Sequence, residues 1–472
     1  MSKKVGMLKN TKGLVVAAPS SGSGKTTVAL ALMAAFTRRG LSIAPFKVGP
    51  DFIDPGYHTR ITGRVSRNLD GWMLDEGCNR DIYARGARGA GVSVVEGVMG
   101  LYDGYDGASE AGSTAQMAKW LGLPVLLVVD ARSMARSFAA LVKGFMEFDT
   151  GCSFCGIVAN NIGSPRHLDY LQQAVKDLPG CRFLGGIPRN AGVEIPSRHL
   201  GLYTAEDHVL TRDMISELAD LADKHLDLDS LLQELPVVQP GPVEDRGLPD
   251  AHIRIGVARD RAFCFYYQDN LDLLAQNGLE PVFFSPLEDE SLPRDIHGLY
   301  LGGGYPELHA EELTRNRFML EQIRRAGSLG MPIYAECGGF MYLCRSLVDL
   351  DDNVHVMAGV FPFTARMQAK RAGLGYREIR LLSDTPLGSR GSMFRGHEFH
   401  YSRIDEQDQA VAVQQVYGAS DKSGAQRYCP GWMIKNTLGS YVHLHFLSRP
   451  DVGRALAGAC RDFRDAGPEP EF

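Results

Sequence analysis

Residues Val15–Thr27, VVAAPSSGSGKTT, set a short apolar run directly ahead of a small, Gly-rich loop that ends in Lys-Thr-Thr. A loop with so few side chains lets the N–H groups of Gly22, Ser23 and Gly24 turn inward around an anion, and Lys25 adds a point charge. Thr26 supplies a hydroxyl suited to Mg²⁺, with Thr27 beside it. Residues 26–39, TTVALALMAAFTRR, carry good helix formers on an apolar face, and Gly40 is a natural helix stop. Strand, loop, helix is the order a nucleotide phosphate cradle requires. One position departs from the G-x-x-x-x-G-K-[ST] pattern, because Pro19 stands where its first glycine would be.

A chain of 472 residues with 44% hydrophobic content exceeds one ordinary domain, and two are expected. The net charge of −6 and the lack of a long Lys/Arg block argue against a nucleic-acid partner. No apolar run reaches membrane-spanning length, so no membrane partner is expected. The basic start MSKKVGMLKNTKG lacks a signal-peptide core, and nine cysteines without secretory features suit a reducing cytoplasm. Cys152 and Cys155 form an isolated C-x-x-C without a second pair, which reads as packing beside a strand.

Apolar β-rich runs recur at 14–18, 42–48, 92–96, 124–130 and 155–159 with helical stretches between several of them, implying a parallel sheet covered by helices. The Pro- and Gly-rich segment 236–252 reads as a linker between a domain at 1–235 and one at 253–472. A second α/β pattern follows at 253–258, 281–284, 298–301 and 331–335. The terminal DAGPEPEF is expected to fray.

Functional residues in parallel sheets gather beyond the carboxyl ends of the strands. After the second run, KVGPDFIDPGYH brings Lys47, Asp51 and Asp54 near the phosphate site, where carboxylates need a cation. Asp51 is a candidate Mg²⁺ ligand, with Asp70 in RNLDGW as its competitor. Glu96 closes the third run and suits a Walker-B-like role, while Asp103, further along its loop, suits a substrate or the transferred phosphoryl group. Asn160 ends another strand, where an amide could read adenine or simply favour a turn.

In IYAECGGFMYL, Cys337 follows a strand and precedes two glycines and a helix, the pattern of a nucleophile elbow. Gly338 offers an N–H for an oxyanion, and the helix N-terminus is expected to favour the thiolate. In GSYVHLHF, alternation on an extended strand places His443 and His445 on one face. The turn in GLYLGGGYPEL, at Gly303, could complete the oxyanion hole.

Together APSSGSGKTT, FKVGPDFIDP, VVEGVMGLYDG, GVARDRAFCFYY, LGGGYPEL, AECGGFMYL, GHEFHYS and SYVHLHF resemble the cobyrinate a,c-diamide synthase family over nearly the whole chain. The resemblance implies an α/β fold of two domains. One is a dethiobiotin-synthetase-like P-loop parallel sheet covered by helices, and the other a class I glutamine amidotransferase (flavodoxin-like) α/β domain. It implies ATP and Mg²⁺ as cofactors, L-glutamine attacked by Cys337 with His443 as activator, and a corrinoid tetrapyrrole carboxylate as substrate. With ATP expected to phosphorylate the substrate carboxylate, Lys25 is expected to neutralise phosphate charge, and Asp54 and Asp103 are further candidate catalytic residues. A homodimer is carried as an open expectation, and Tyr57, His58 and Asp103 are candidates for touching the ring. The glutamate that usually follows the amidotransferase histidine by two positions is His445 here, which leaves a Cys-His dyad without an assigned orienting group. Cobyric acid synthases lack the KVGPDFIDP pattern, which favours a,c-diamidation. Hydrogenobyrinate and nickel sirohydrochlorin remain alternative rings. A ParA/MinD-like ATPase switch is the competing class, but such proteins carry a signature Lys where Ser20 stands and have no use for Cys337 and His443.

Overall fold

Alternation of fully apolar strands with helices builds the first half around one parallel sheet. The computed structural model describes residues 11–189, 210–238, 253–405 and 412–467. They fall into two compact units, one ending at Val238 and one beginning at Ile253.

In the first unit the strands are β1 (Thr11–Ala17), β2 (Ile43–Val48), β3 (Arg67–Leu69), β4 (Val92–Glu96), β5 (Val125–Asp130), β6 (Phe154–Ile162) and β7 (Phe183–Pro188). They hydrogen-bond in the order β3-β2-β4-β1-β5-β6-β7, all parallel. The inner strands β1, β4 and β5 are buried and rich in Val, Leu and Ala, as parallel strands covered on both faces must be. Helix α1 (Lys25–Arg38) buries Val28 through Phe36 completely or nearly so. At roughly 1.5–3 kcal/mol for each large side chain removed from water, that burial anchors the loop preceding the helix. The topology sets β4 between β2 and β1, so the carboxyl ends that carry Lys47, Glu96 and the Gly-rich loop lie side by side.

One boundary shifts. Val237 and Val238, within the segment expected as linker, add an antiparallel strand β8 to Thr11 and Lys12 and belong to the first sheet. Residues 239–252 and 468–472, which hold the rest of that linker and most of the expected frayed tail, lie outside the described residues.

In the second unit β9 (Ile253–Ala258), β10 (Leu279–Phe284), β11 (Gly298–Leu301) and β12 (Ile333–Glu336) form a parallel set in the order β10-β9-β11-β12. The strand Thr437–Ser440 joins it parallel to β12, placing Ser440 opposite Glu336. Between them the chain is mostly antiparallel: a long hairpin of Gly373–Leu381 and Met393–His400 receives Val442–Leu444 on its free edge. That antiparallel layer goes beyond the α/β pattern read from the sequence. The polar and apolar faces of its strands are irregular, as in the mixed burial of Gly373–Leu381.

Candidate functional site

The Gly-rich loop closes over the first turn of α1. Gly22 and Gly24 take the left-handed backbone, with φ of 80° and 95°. At Gly24 a second constraint applies, since a Cβ there would fall 2.1 Å from the Asn160 amide nitrogen. That amide donates to the Ser23 carbonyl at 3.0 Å, so in this state Asn160 secures the loop. The Ser23 hydroxyl donates to the Ser20 carbonyl at 3.0 Å, giving the loop a cross-brace despite Pro19. The Lys25 ammonium donates to the carbonyls of Met99 and Ser20.

Beneath the loop Glu96, completely buried, is a hub. Its Oε1 accepts from the Thr26 hydroxyl at 2.6 Å and from the Lys47 ammonium at 2.9 Å, and its Oε2 lies 2.8 Å from His58 Nε2. Lys47 also pairs with Asp54 at 2.7 Å. Burial and Asp54 oppose the charge on Glu96, but Lys47 and His58 outweigh them and lower its pKa. Burial likewise opposes the charge on Lys47, yet Glu96 and Asp54 raise its pKa and keep it an ammonium. Buried charges of this kind persist only when paired. Asp51 Oδ1 accepts the Ile53 N–H at 2.9 Å, opening helix α2 (Ile53–Thr62).

The other acids and ring candidates separate. Asp70 Oδ1 takes the N–H groups of Trp72 and Met73 at 2.8 and 2.7 Å, which fixes a turn. Asp103 is exposed, with Oδ2 on the Gly100 N–H at 2.9 Å. His58 is completely buried, with Nδ1 on Ser66 and Nε2 on Glu96. This corrects its reading as a ring contact, because both ring nitrogens are used inside the domain; Tyr57 is buried too. Cys152 and Cys155 are free thiols pushed up by burial to about 11 and about 12, as packing residues would be.

Among the described residues no three His, Cys, Asp or Glu side chains gather as a metal cage. A site for Mg²⁺ needs none, since that ion prefers one or two carboxylates plus phosphate oxygens and water. Thr26 and Glu96, 2.6 Å apart below the loop, fit that donor set.

In the second unit Cys337 takes φ 47° and ψ −104°, the sharp non-glycine turn of a nucleophile elbow. Its N–H donates to the Ser440 carbonyl at 2.7 Å and its Sγ lies 3.9 Å from the Phe399 carbonyl. His443 stacks on His397 of the hairpin with ring centroids 5.0 Å apart. Its other flank is the turn after β11, where a Cβ on Gly303 would sit 2.3 Å from His443 Cε1. A Cβ on Gly338 would sit 3.0 Å from the Gly304 nitrogen, so the elbow and the Gly-rich turn are in backbone contact. His445 stacks on Tyr267 with ring centroids 4.6 Å apart.

The expectation of a thiolate at rest is corrected. Burial, then the nearby charge of Glu307, push the Cys337 thiol up, and the Gly338 N–H offsets only part of this. A helix of six residues, Gly338–Leu343, is too short to reverse the cost of burying an anion. A thiol held neutral in this way would need a base before it could act as a nucleophile. Glu307 is itself pushed up by burial, to about 7.

Three side chains escaped the sequence reading as members of these constellations: His58, Glu307 and Glu336. Glu336 accepts from Tyr334 at 2.7 Å, Tyr300 at 3.0 Å and the Leu444 N–H at 3.0 Å, and lies 3.8 Å from His443 Nδ1. Position next to the nucleophile was the only sequence signal for it, and that position usually holds a strand residue.

Residues 14–202 match the family described as the CobQ/CobB/MinD/ParA nucleotide binding domain, and residues 254–451 match the CobB/CobQ-like glutamine amidotransferase domain. The chain is 44% identical over 452 residues to the cobyrinate a,c-diamide synthase of Syntrophotalea carbinolica, covering 95% of this chain and 98% of that protein. It is 40% identical over 454 residues to that of Salmonella typhimurium, with coverage of 95% and 98%. To that of Methanosarcina barkeri it is 39% identical over 491 residues, covering 97% and 98%. With both domains matched and full-length relatives at this identity, the chain belongs to the cobyrinate a,c-diamide synthase family.

Proposed function

We propose that this protein uses ATP and glutamine to amidate the a and c acetate side chains of cobyrinate, giving cobyrinate a,c-diamide in cobalamin biosynthesis. The observation that carries the reading is one chain holding both a Gly-rich loop with Lys25, Thr26 and Glu96 beneath it and a Cys337 elbow with His443 on the short strand that follows the neighbouring Thr437–Ser440. A carboxylate is a poor acyl donor because its leaving group would be oxide. Transfer of the γ-phosphoryl group to the carboxylate gives an acyl phosphate, which ammonia attacks at carbon with expulsion of phosphate.

In this reading the N–H groups of Gly22, Ser23 and Gly24 hold the phosphates, Lys25 leaves the Met99 carbonyl for the β/γ oxygens, and Thr27 supports the first turn. Lys47, which pairs with Asp54 and Glu96, would meet the transferred group, with Asp51 and Asp103 on the neighbouring loops. Thr26 and Glu96 would hold Mg²⁺, with Asp51 as a further ligand. The ion, when bound, neutralises charge on the β and γ oxygens. Asn160 keeps the loop closed from below. In the other domain His443 takes the thiol proton as Cys337 attacks the glutamine amide carbon, the Gly303 and Gly338 N–H groups receive the oxyanion, and the proton leaves on ammonia. Water then hydrolyses the thioester.

Among the described residues no helix is long and apolar enough to cross a membrane. We place the protein in the cytoplasm, acting without a nucleic-acid or membrane partner. A homodimer is its proposed assembly.

The test is incubation with ATP, Mg²⁺, glutamine and, separately, cobyrinate, hydrogenobyrinate and nickel sirohydrochlorin, counting amides by mass spectrometry. Two amides on cobyrinate are expected. Ammonia release without any amide product would leave a bare glutaminase, and ATP-driven dimerisation without amide formation would leave a switch ATPase.

The Gly303 contact gives a local prediction. Ala at this position would drive a methyl group into His443, so Gly303→Ala should lower glutaminase activity about 10²-fold, the cost of displacing a catalytic group by about an ångström, while ammonia-supported amidation continues. Steady-state rates with glutamine and with ammonium chloride would check it.

A further inference from the structure

We infer that Glu336, the residue immediately before the nucleophile, is the carboxylate that orients His443 and stabilises its protonated form. It replaces the acid that related amidotransferases place two positions after the histidine. The inference rests on the reading of Cys337 as nucleophile and His443 as base.

Glu336 is buried at the end of β12, and its oxygens are divided between two tasks. Oε1 accepts from the Tyr334 hydroxyl at 2.7 Å and the Leu444 N–H at 3.0 Å. Oε2 accepts from the Tyr300 hydroxyl at 3.0 Å and lies 3.8 Å from His443 Nδ1. Burial, and then the Glu336 charge, push both phenols well above their usual range, so they remain proton donors that fix the carboxylate without adding charge. Leu444 directly follows His443, so one carboxylate holds the backbone of the histidine strand by a hydrogen bond and faces the ring nitrogen from 3.8 Å. The Nδ1 separation is that of an ion pair, and catalytic contacts of this kind tighten when the complex forms. Such a partner holds the neutral ring with its proton on Nδ1, leaving the Nε2 lone pair for the Cys337 thiol.

The other titratable groups around His443 are engaged elsewhere, beginning with buried Glu398 beside His397, which accepts from the Arg377 guanidinium at 2.6 Å. His397 stacks on it but has Nδ1 on the Tyr267 hydroxyl at 2.9 Å, and burial holds its pKa well below normal. His400 has Nδ1 on the Ser402 carbonyl at 2.7 Å and stacks on Tyr441. His445, along the same chain segment, faces Tyr267. Cys337 lies at the end of the Glu336 strand, and Glu307 acts on the thiol from the Gly-rich turn.

When the thiol proton passes to Nε2, the cation created on His443 lies against Glu336. Loss of that charge makes imidazolium formation costlier and lowers the histidine pKa. Glu336→Gln keeps the shape and removes the charge. In the full-length protein it should lower glutaminase kcat about 10²-fold with little change in the KM for glutamine, and shift the acid limb of kcat/KM down by about one pH unit. Ammonia-supported amidation serves as the folding control. An acid limb that stays in place, or a kcat within about threefold of the parent, would overturn the inference.

Should the variant fail to fold, ¹⁵N-histidine NMR of the unsubstituted protein decides. The His443 signals, assigned by their loss in His443→Asn, should show the Nδ1–H tautomer for the neutral ring. An Nε2–H tautomer overturns the inference. If instead Cys337→Ala retained glutaminase activity, the reading of the site itself would fall.

Discussion

Cys337→Ala is expected to abolish glutamine-supported amidation, by 10³-fold or more, while ammonia-supported amidation persists. The size follows from the chemistry, since no other group can form the thioester and removal of a covalent nucleophile costs roughly as much as removal of its whole catalytic set. The elbow geometry makes the loss absolute rather than partial. The backbone at Cys337 is held at φ 47° by its N–H bond to Ser440, so no neighbouring side chain can rotate into its place. The substitution removes one sulfur from a buried position and leaves the surrounding turn intact. Parallel assays with glutamine and with ammonium chloride would measure the ratio. Loss of both activities would sink the division of labour between the two domains, and survival of both would remove Cys337 from the chemistry.

Lys25→Met should give the complementary result. Amidation with either nitrogen source is expected to fall about 10²–10³-fold, the usual cost of removing a preorganised charge from a developing anion, while glutaminase activity survives. Met keeps the aliphatic stem and removes only the ammonium. The Lys25 ammonium donates to the Met99 and Ser20 carbonyls, whereas Lys47 lies between two buried acids, and surviving glutaminase activity in the same samples reports that the fold has held. The two lysines thus differ in kind. Removal of Lys47 would take away the ammonium shared by two buried acids, Asp54 and Glu96, and confuse lost activity with lost stability, at a cost of about 3–5 kcal/mol. Rates of amide formation and of glutamate release in the same samples separate the outcomes. Amidation at an ordinary rate would refute the phosphate assignment.

Much of the scaffold was legible in the chain. Val92–Glu96, Ile253–Ala258 and Gly298–Leu301 are strands with the expected ends, and α1 differs by a single residue at each end. These segments are buried on both sides or strongly punctuated, so local composition and tertiary burial agree. The antiparallel hairpin ending at His400 was not legible. Its faces are divided between core, site and solvent, and no single period survives that division.

The candidate sites show the same split. Gly22, Gly24, Lys25 and Thr26 are close in sequence, and a strand–loop–helix unit brings them together without help from the rest of the chain. Cys337 likewise carries its own turn. What the chain order alone determined was therefore each local device: a phosphate loop, an acid at a strand end and a strained cysteine elbow. Tertiary structure decided how these devices are partnered. Insertion of β4 between β2 and β1 sets Glu96 under Thr26 and beside Lys47 and His58, and parallel pairing of Thr437–Ser440 with β12 brings His443 to Glu336. Strand order and register arise from burying whole faces of a sheet. Contacts between residues about a hundred positions apart are set by that burial, which leaves no trace in the spacing of the residues it joins.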